Sequence, residues 1–227
     1  MSNKCSPSLH TAISVKVCRV MLNLTEEVND VSATKLRGFF GNLFLDDPEF
    51  HHHSEKSYHY PLVQYKRING QLMVLGFQKY ANIVANKLSS VDAVTTTGGN
   101  YLVGNKEIIL ENSIVENVDC RYEFASPWLP LNEQNYADFK SLSSQEQKLF
   151  LERILVGNAL SCLKGLGVFV NYRITPQLFC FLPLHVRVHR NSFEAFKARF
   201  SLNVSLPNFA GLGKSVSKGF GTIRRVA

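Results

Sequence analysis

The sequence predicts an α+β fold built from two successive β-α-β-β-α-β modules, and three observations carry that expectation. Alternating apolar and polar residues mark half-buried strands, apolar residues at helical spacing mark the segments between them, and an Asn-Gly pair joins two β-rich runs within the first module. With 45% hydrophobic residues in a chain of 227, a core can form without disulfides or structural metals.

The elements follow in order. Residues 13–24 (ISVKVCRVMLNL) alternate and read as a strand. Residues 31–44 offer Val31, Leu36, Phe39, Phe40 and Leu43 at helical spacing, with Asp30 or Ser32 as candidate N-cap. Residues 60–68 and 71–77 are apolar, β-branched or aromatic runs separated by Asn69-Gly70, the strongest short-range hairpin signal. A helix over 78–88 and a strand over 106–118 complete the ferredoxin-like (RRM-like) order. The second module opens with a strand over 120–125. A capping-box pattern at Ser143-Ser144-Gln145-Glu146 then starts a helix that reaches Lys164, with Leu151, Leu155, Ala159, Cys162 and Leu163 on one face and Gly165 ending it. Residues 169–174, 178–190 and 195–206 read as strands, with Asn191-Ser192 turning between the last two. The second helix of this module is weakly signalled, and extended chain can take its place. The modules are expected to be domains spanning 1–118 and 119–227.

Five widely spaced cysteines without a Cys-x-x-Cys pair argue against a disulfide framework or a thiolate zinc site and read as reduced, structural thiols. No stretch approaches the length of a membrane span, and a soluble cytoplasmic protein without membrane contact is expected. Charge is segregated: residues 153–227 hold eleven Lys/Arg against one acid, a net +10, whereas residues 1–152 hold fourteen against seventeen, a net −3. That asymmetry favours a phosphate-rich partner for the second half.

Residues 207–225 (PNFAGLGKSVSKGFGTIRR) concentrate Gly211, Gly213, Gly219 and Gly221 with Lys214, Ser215, Lys218, Arg224 and Arg225. Backbone amides can approach phosphates closely where no Cβ intervenes, so this segment is a candidate phosphate-binding loop. A flexible hinge before the last strand is the competing reading. A nucleotide-binding P-loop is excluded, because its spacing demands glycine where Asn208 stands.

Four of seven histidines fall within nine residues, His51, His52, His53 and His59, beside Tyr58 and Tyr60. A metal site, a tag-like accident and a proton-transfer cluster all compete for this stretch. No Cys, Asp or Glu is spaced as an obvious further ligand, although Asp46, Asp47 and Glu49 lie upstream. Histidine titrates near neutrality and can serve as both general base and general acid.

The run "LPNFAGLGKSVSKGFGTI" resembles the C-terminal glycine-rich loop of the CRISPR-associated endoribonucleases that cut repeat RNA into guide units, members of the repeat-associated (RAMP) superfamily. "KLRGFF", "YHYPLVQYK", "WLPLN" and "ILVGNALSCLKGLG" resemble further blocks of one archaeal and bacterial branch of it, so the match covers nearly the whole chain. The resemblance implies two ferredoxin-like domains and a metal-independent endoribonuclease. Such an enzyme cleaves CRISPR repeat RNA by 2′-OH attack, leaving a 2′,3′-cyclic phosphate and a 5′-OH, without cofactor. It assigns a His-x-His pair to His51 and His53 and a tyrosine to Tyr60, with His52 as a spacer able to replace either neighbour. Its implied partners are repeat RNA (pre-crRNA and crRNA), CRISPR effector-complex subunits and a second copy in a homodimer. A catalytically silent RAMP-type subunit that holds crRNA is the alternative, and the histidine cluster discriminates, since a pure binder has no need of it. A single-stranded nucleic-acid binder using sheet aromatics is a third, against which the chain lacks an RNP1-type run.

Overall fold

The computed structural model describes residues 12–27, 29–51, 59–188 and 191–226. The first half forms β1 (Ile13–Leu24), α1 (Ala33–Leu43), the single turn α2 (Pro48–His51), β2 (Val63–Ile68), β3 (Gln71–Phe77), α3 (Lys79–Ser89), β4 (Ala93–Thr96) and β5 (Gly99–Val115). Its sheet runs β2-β3-β1-β5-β4, which is the ferredoxin-like order with β4 added at one edge. Ser32 is the N-cap of α1, its side chain accepting from the Lys35 amide at 3.2 Å. Asn69 and Gly70 both take positive φ, 50° and 84°, the primed turn whose twist matches a two-residue hairpin.

The β2–β3 part of this sheet is buried on both faces, which explains why β3 is apolar from Leu72 to Phe77 instead of alternating. Cys18, Val20, Leu22, Leu72 and Val74 pack beneath α1 and α3. Val15, Val17, Met73, Leu75 and Phe77 point the other way and join the core of the second half.

The second half comprises β6 (Cys120–Phe124), α4 (Glu133–Ser141), α5 (Ser144–Gly165), β7 (Pro176–Val188), β8 (Asn191–Leu202) and β9 (Ile223–Val226), in sheet order β7-β8-β6-β9. That is again ferredoxin-like, and the place of a second α-helix is taken by chain from 203 to 222 holding only a 3-10 turn, Val216–Lys218. The predicted face of α5 is the buried one. The Ser143–Glu146 capping box forms, and burial is centred on Trp128, which stacks on Phe124 at 4.9 Å and donates from Nε1 to Asn158 Oδ1 at 3.0 Å.

Several local expectations are corrected. β2 starts at Val63, not residue 60, because the chain before it turns to meet the second half. β5 begins at Gly99, pairs with β4 across a Thr97-Gly98 turn and ends at Val115. α4 was hidden by its polar composition, although Asn132 and Asn135 form a capping box. Residues 169–174 form no strand; Tyr172, Arg173 and Ile174 instead line a groove with Arg153, Val156 and Leu160 of α5. Asn191 already pairs with Val188, so Asn191 and Ser192, expected as the turn, belong to β8. Gly165 is the last helical residue, not the stop. Gly167 (φ 77°) makes the reversal, with its amide bonded to the Lys164 carbonyl and that of Val168 to Leu163.

Candidate functional site

Three polar side chains on and before β2 meet the glycine-rich segment. Tyr60 is 6% exposed and its hydroxyl donates to the Gly211 carbonyl at 3.0 Å. Gln64 is fully buried, accepts the Gly211 amide at 3.0 Å through Oε1 and donates from Nε2 to the Pro61 carbonyl at 2.9 Å. Lys66 is also fully buried, and its Nζ donates to the Val216 carbonyl at 3.3 Å. Strand alternation aims Val63 and Tyr65 the opposite way, where Tyr65 stacks on Phe40 of α1 at 5.9 Å.

Burial governs the electrostatics here. Desolvation pulls the Lys66 ammonium down to about 7, with Cys162 acting weakly in the opposite sense. It pushes the Cys162 thiol up to about 12, partly offset by a hydrogen bond with Tyr60 and by Lys66. Gly165 lies against the Tyr60 ring so closely that any Cβ would overlap it. A helix glycine, costly in itself, is required there by the approach of α5.

The glycine-rich segment is itself ordered by hydrogen bonds. Leu212 and Gly221 bond to each other's neighbourhood, the Leu212 amide to the Gly221 carbonyl and the Gly221 amide to Pro127, both at 2.8 Å, while the Lys214 amide bonds to Leu129 at 3.1 Å. Gly219 (φ 91°) sits where a Cβ would come within 2.5 Å of the Ala33 Cβ, so the loop seats on the start of α1. Partial burial lowers the Lys214 and Lys218 ammonium groups from their ordinary value, and Arg37 of α1 adds like-charge pressure on Lys218.

The sequence-predicted residues are therefore distributed as follows. Gly211, Gly213, Lys214, Ser215, Lys218 and Gly219 form one loop, seated on β2 and α1. Arg224 does not join them; it pairs with Glu123 on the outward face of the C-terminal sheet. Arg225, its amide held by Asn208 Oδ1 at 3.0 Å, points to the opposite face of β9. His51 closes α2, whereas His52 and His53 lie outside the described residues. The described chain on either side of that segment is tied to the start of β2, because Glu49 Oε1 accepts the Leu62 amide at 2.9 Å and Tyr60 holds Gly211. Sequence reasoning missed Arg37 and Gln64, both inside motifs it had noticed, "KLRGFF" and "YHYPLVQYK". Among the described residues no group of three or more His, Cys, Asp or Glu is arranged to hold a metal, and no helix is long and apolar enough to cross a membrane.

The Cas6b N-terminal domain family matches residues 13–114, and the Cas6b C-terminal domain family matches residues 114–226. The chain belongs to the Cas6b family. A crystal structure of Cas6b superimposes on this Cas6b chain with a TM-score of 0.85 at 23% identity, covering 94% of this chain and 100% of the other. A second, described as the CRISPR RNA processing endoribonuclease Cas6b, gives 0.76 at 22% identity over 94% and 100%. A Cas6 product complex gives 0.61 at 10% identity over 94% and 99%. An uncharacterized protein of Methanocaldococcus jannaschii is 40% identical over 116 residues, 51% of this chain and 78% of the relative.

Proposed function

We propose that this chain is an endoribonuclease that cleaves CRISPR repeat RNA without a metal ion, by attack of an internal 2′-OH on the adjacent phosphate. The single observation that supports this most is the Tyr60–Gly211 hydrogen bond of 3.0 Å, which ties the chain leaving the histidine segment to the basic glycine-rich loop. RNA phosphates drawn to Lys214, Lys218 and Arg37 would then lie near Tyr60, where the described chain resumes after the histidine segment.

One imidazole of the His51/His53 pair takes the 2′-OH proton, and its oxygen bonds to phosphorus. The P–O5′ bond breaks as the imidazolium of the other donates a proton to the leaving oxygen. The products are a 2′,3′-cyclic phosphate and a 5′-OH, and each proton transfer typically contributes ~10²–10⁴-fold. Tyr60, its hydroxyl bonded to the loop, acts as a positioning residue. The lysines of the loop offset charge on the phosphorane.

Single-turnover cleavage of a repeat RNA in excess EDTA tests the reading. Activity should persist, should vanish with a 2′-deoxy substitution 5′ of the scissile phosphate while binding remains, and should fall ~10²-fold or more in His51→Ala and His53→Ala. His52→Ala is the control for the middle residue. Loss of activity in EDTA with recovery in zinc overturns it, as does full activity in all three histidine variants. Repeat-RNA binding with no cleavage by the unaltered chain would identify a silent RNA-holding subunit.

A further inference from the structure

The C-terminal sheet carries helices on one face only. On β8, Phe196, Ala198, Phe200 and Leu202 are buried in the core, and Lys197 and Arg199 alternate with them into solvent. Strand register sets Arg199, Glu123 and Arg224 side by side across β8, β6 and β9, with Arg121 two residues before Glu123 on the same face. Four cations thus share this face with one carboxylate. Glu123 is bonded to Arg224 and lies 3.5 Å from Arg199, and among the described residues neither Arg121 nor Lys197 has a carboxylate partner.

An aromatic is placed among these charges by a defect in the ladder. β7 pairs Leu178 with Phe200 and Cys180 with Arg199, so Phe179 is the unpaired residue of a bulge. Bulges re-aim side chains, and this one leaves Phe179 47% exposed with the Arg121 guanidinium 5.8 Å from its ring centroid. A phenylalanine with an arginine over its ring, in a field of unneutralised cations, is the combination that binds unpaired nucleotides: the ring and guanidinium plane stack a base while neighbouring cations take phosphates. An acidic protein surface would use the cations but has no use for a half-exposed stacking ring.

We propose that this open face is a second RNA site, which binds single-stranded RNA with one base stacked on Phe179 and Arg121 and adjacent phosphates on Lys197 and Arg199. It is separate from the glycine-rich loop, although β9 borders both, with Arg224 on this face and the Gly211–Thr222 bridge just beyond the strand. A strand bound at the loop can therefore continue across it, so the site suits unpaired RNA flanking a repeat.

The test uses the full chain and a fluorescein-labelled 12-nucleotide oligouridylate, which has neither repeat sequence nor secondary structure, so its outcome is independent of cleavage. Anisotropy at low salt should show binding that weakens ~10-fold in Phe179→Ala, is retained in Phe179→Trp and is not retained in Phe179→Leu, because stacking and not bulk is required. Lys197→Ala with Arg199→Ala should reduce the salt slope by ~0.7 per lost phosphate contact. Thermal melting should be unchanged in these surface variants, which separates lost binding from lost folding. The same probe should bind the Lys214→Ala/Lys218→Ala variant with the Phe179 dependence intact. Absence of oligouridylate binding, equal affinity in Phe179→Ala, or a Lys214/Lys218 variant that loses all binding overturns the proposal. Capture of an acidic protein on this face with oligouridylate affinity unaffected by Phe179→Ala also overturns it.

Discussion

Replacing Lys66 with methionine removes its charge and shortens the unbranched side chain by one atom, and the effect on stability should depend on pH. In the folded chain burial pulls this ammonium from an ordinary value near 10.5 to about 7. Between those two values the unfolded chain holds a proton that the folded chain has released, so stability rises with pH across that window and is lowest at and below neutrality. One proton over the step from about pH 7 to pH 9 corresponds to about 2 kcal/mol. In a protein of this size that is a rise of roughly 4–8 °C in melting temperature. Lys66→Met lacks this titration. It also lacks the hydrogen bond to Val216, a loss of about 1 kcal/mol that does not vary with pH. The variant is therefore expected to melt above the parent at pH 7, by an amount that shrinks as the pH rises. Calorimetric melting of both proteins at several pH values between 6 and 9 measures the difference directly. Melting curves whose separation stays constant across that range would show that Lys66 is not desolvated as described, and the reasoning fails.

Other expectations concern the loop and its supports. Lys214→Ala with Lys218→Ala should weaken repeat-RNA binding and flatten its salt dependence by up to about two phosphate contacts, read from affinity titrations at several salt concentrations. Gly219→Ala should lower the melting temperature, since it meets Ala33 and takes a φ of 91°; an unchanged melt would show that the loop does not seat on α1. Tyr60→Phe should slow single-turnover cleavage less than either His51→Ala or His53→Ala and cost about 1 kcal/mol of stability for the lost bond to Gly211. A Tyr60→Phe effect as large as theirs would give the hydroxyl a direct part in proton transfer.

The elements that local chemistry specifies were legible in the sequence. The Asn69-Gly70 hairpin, the Ser32 cap and the buried face of α5 each depend on residues within a few positions of one another. The weak signal for a second helix in the second module also matched the extended chain found in its place. What failed depends on partners far away. β4 and α4 are short and polar, and tertiary packing outweighs their weak local signal. Gly165 looked like a helix stop because nothing nearby says that Tyr60 packs onto it. The glycine-rich loop was expected to expose its amides, yet several of them are used internally, bonded to Gln64, Leu129, Pro127 and the loop itself. Buried polar residues of this kind alternate with Val63 and Tyr65 and look like any half-exposed strand.

The seating of residues 211–216 on β2 also fixes when the site can exist during synthesis. Tyr60 and Gly211 are 151 residues apart, and the partner of Lys66 is 150 residues further on. The first sheet can pair and cover one face with α1 and α3 long before those partners emerge from the ribosome, and domains generally fold in that order. Until then its other face carries Gln64 and Lys66 uncovered. Two polar side chains in an otherwise apolar surface keep that half-finished sheet wettable, and an exposed lysine keeps its charge. Closing the last loop buries that lysine and brings Gly211 to Tyr60.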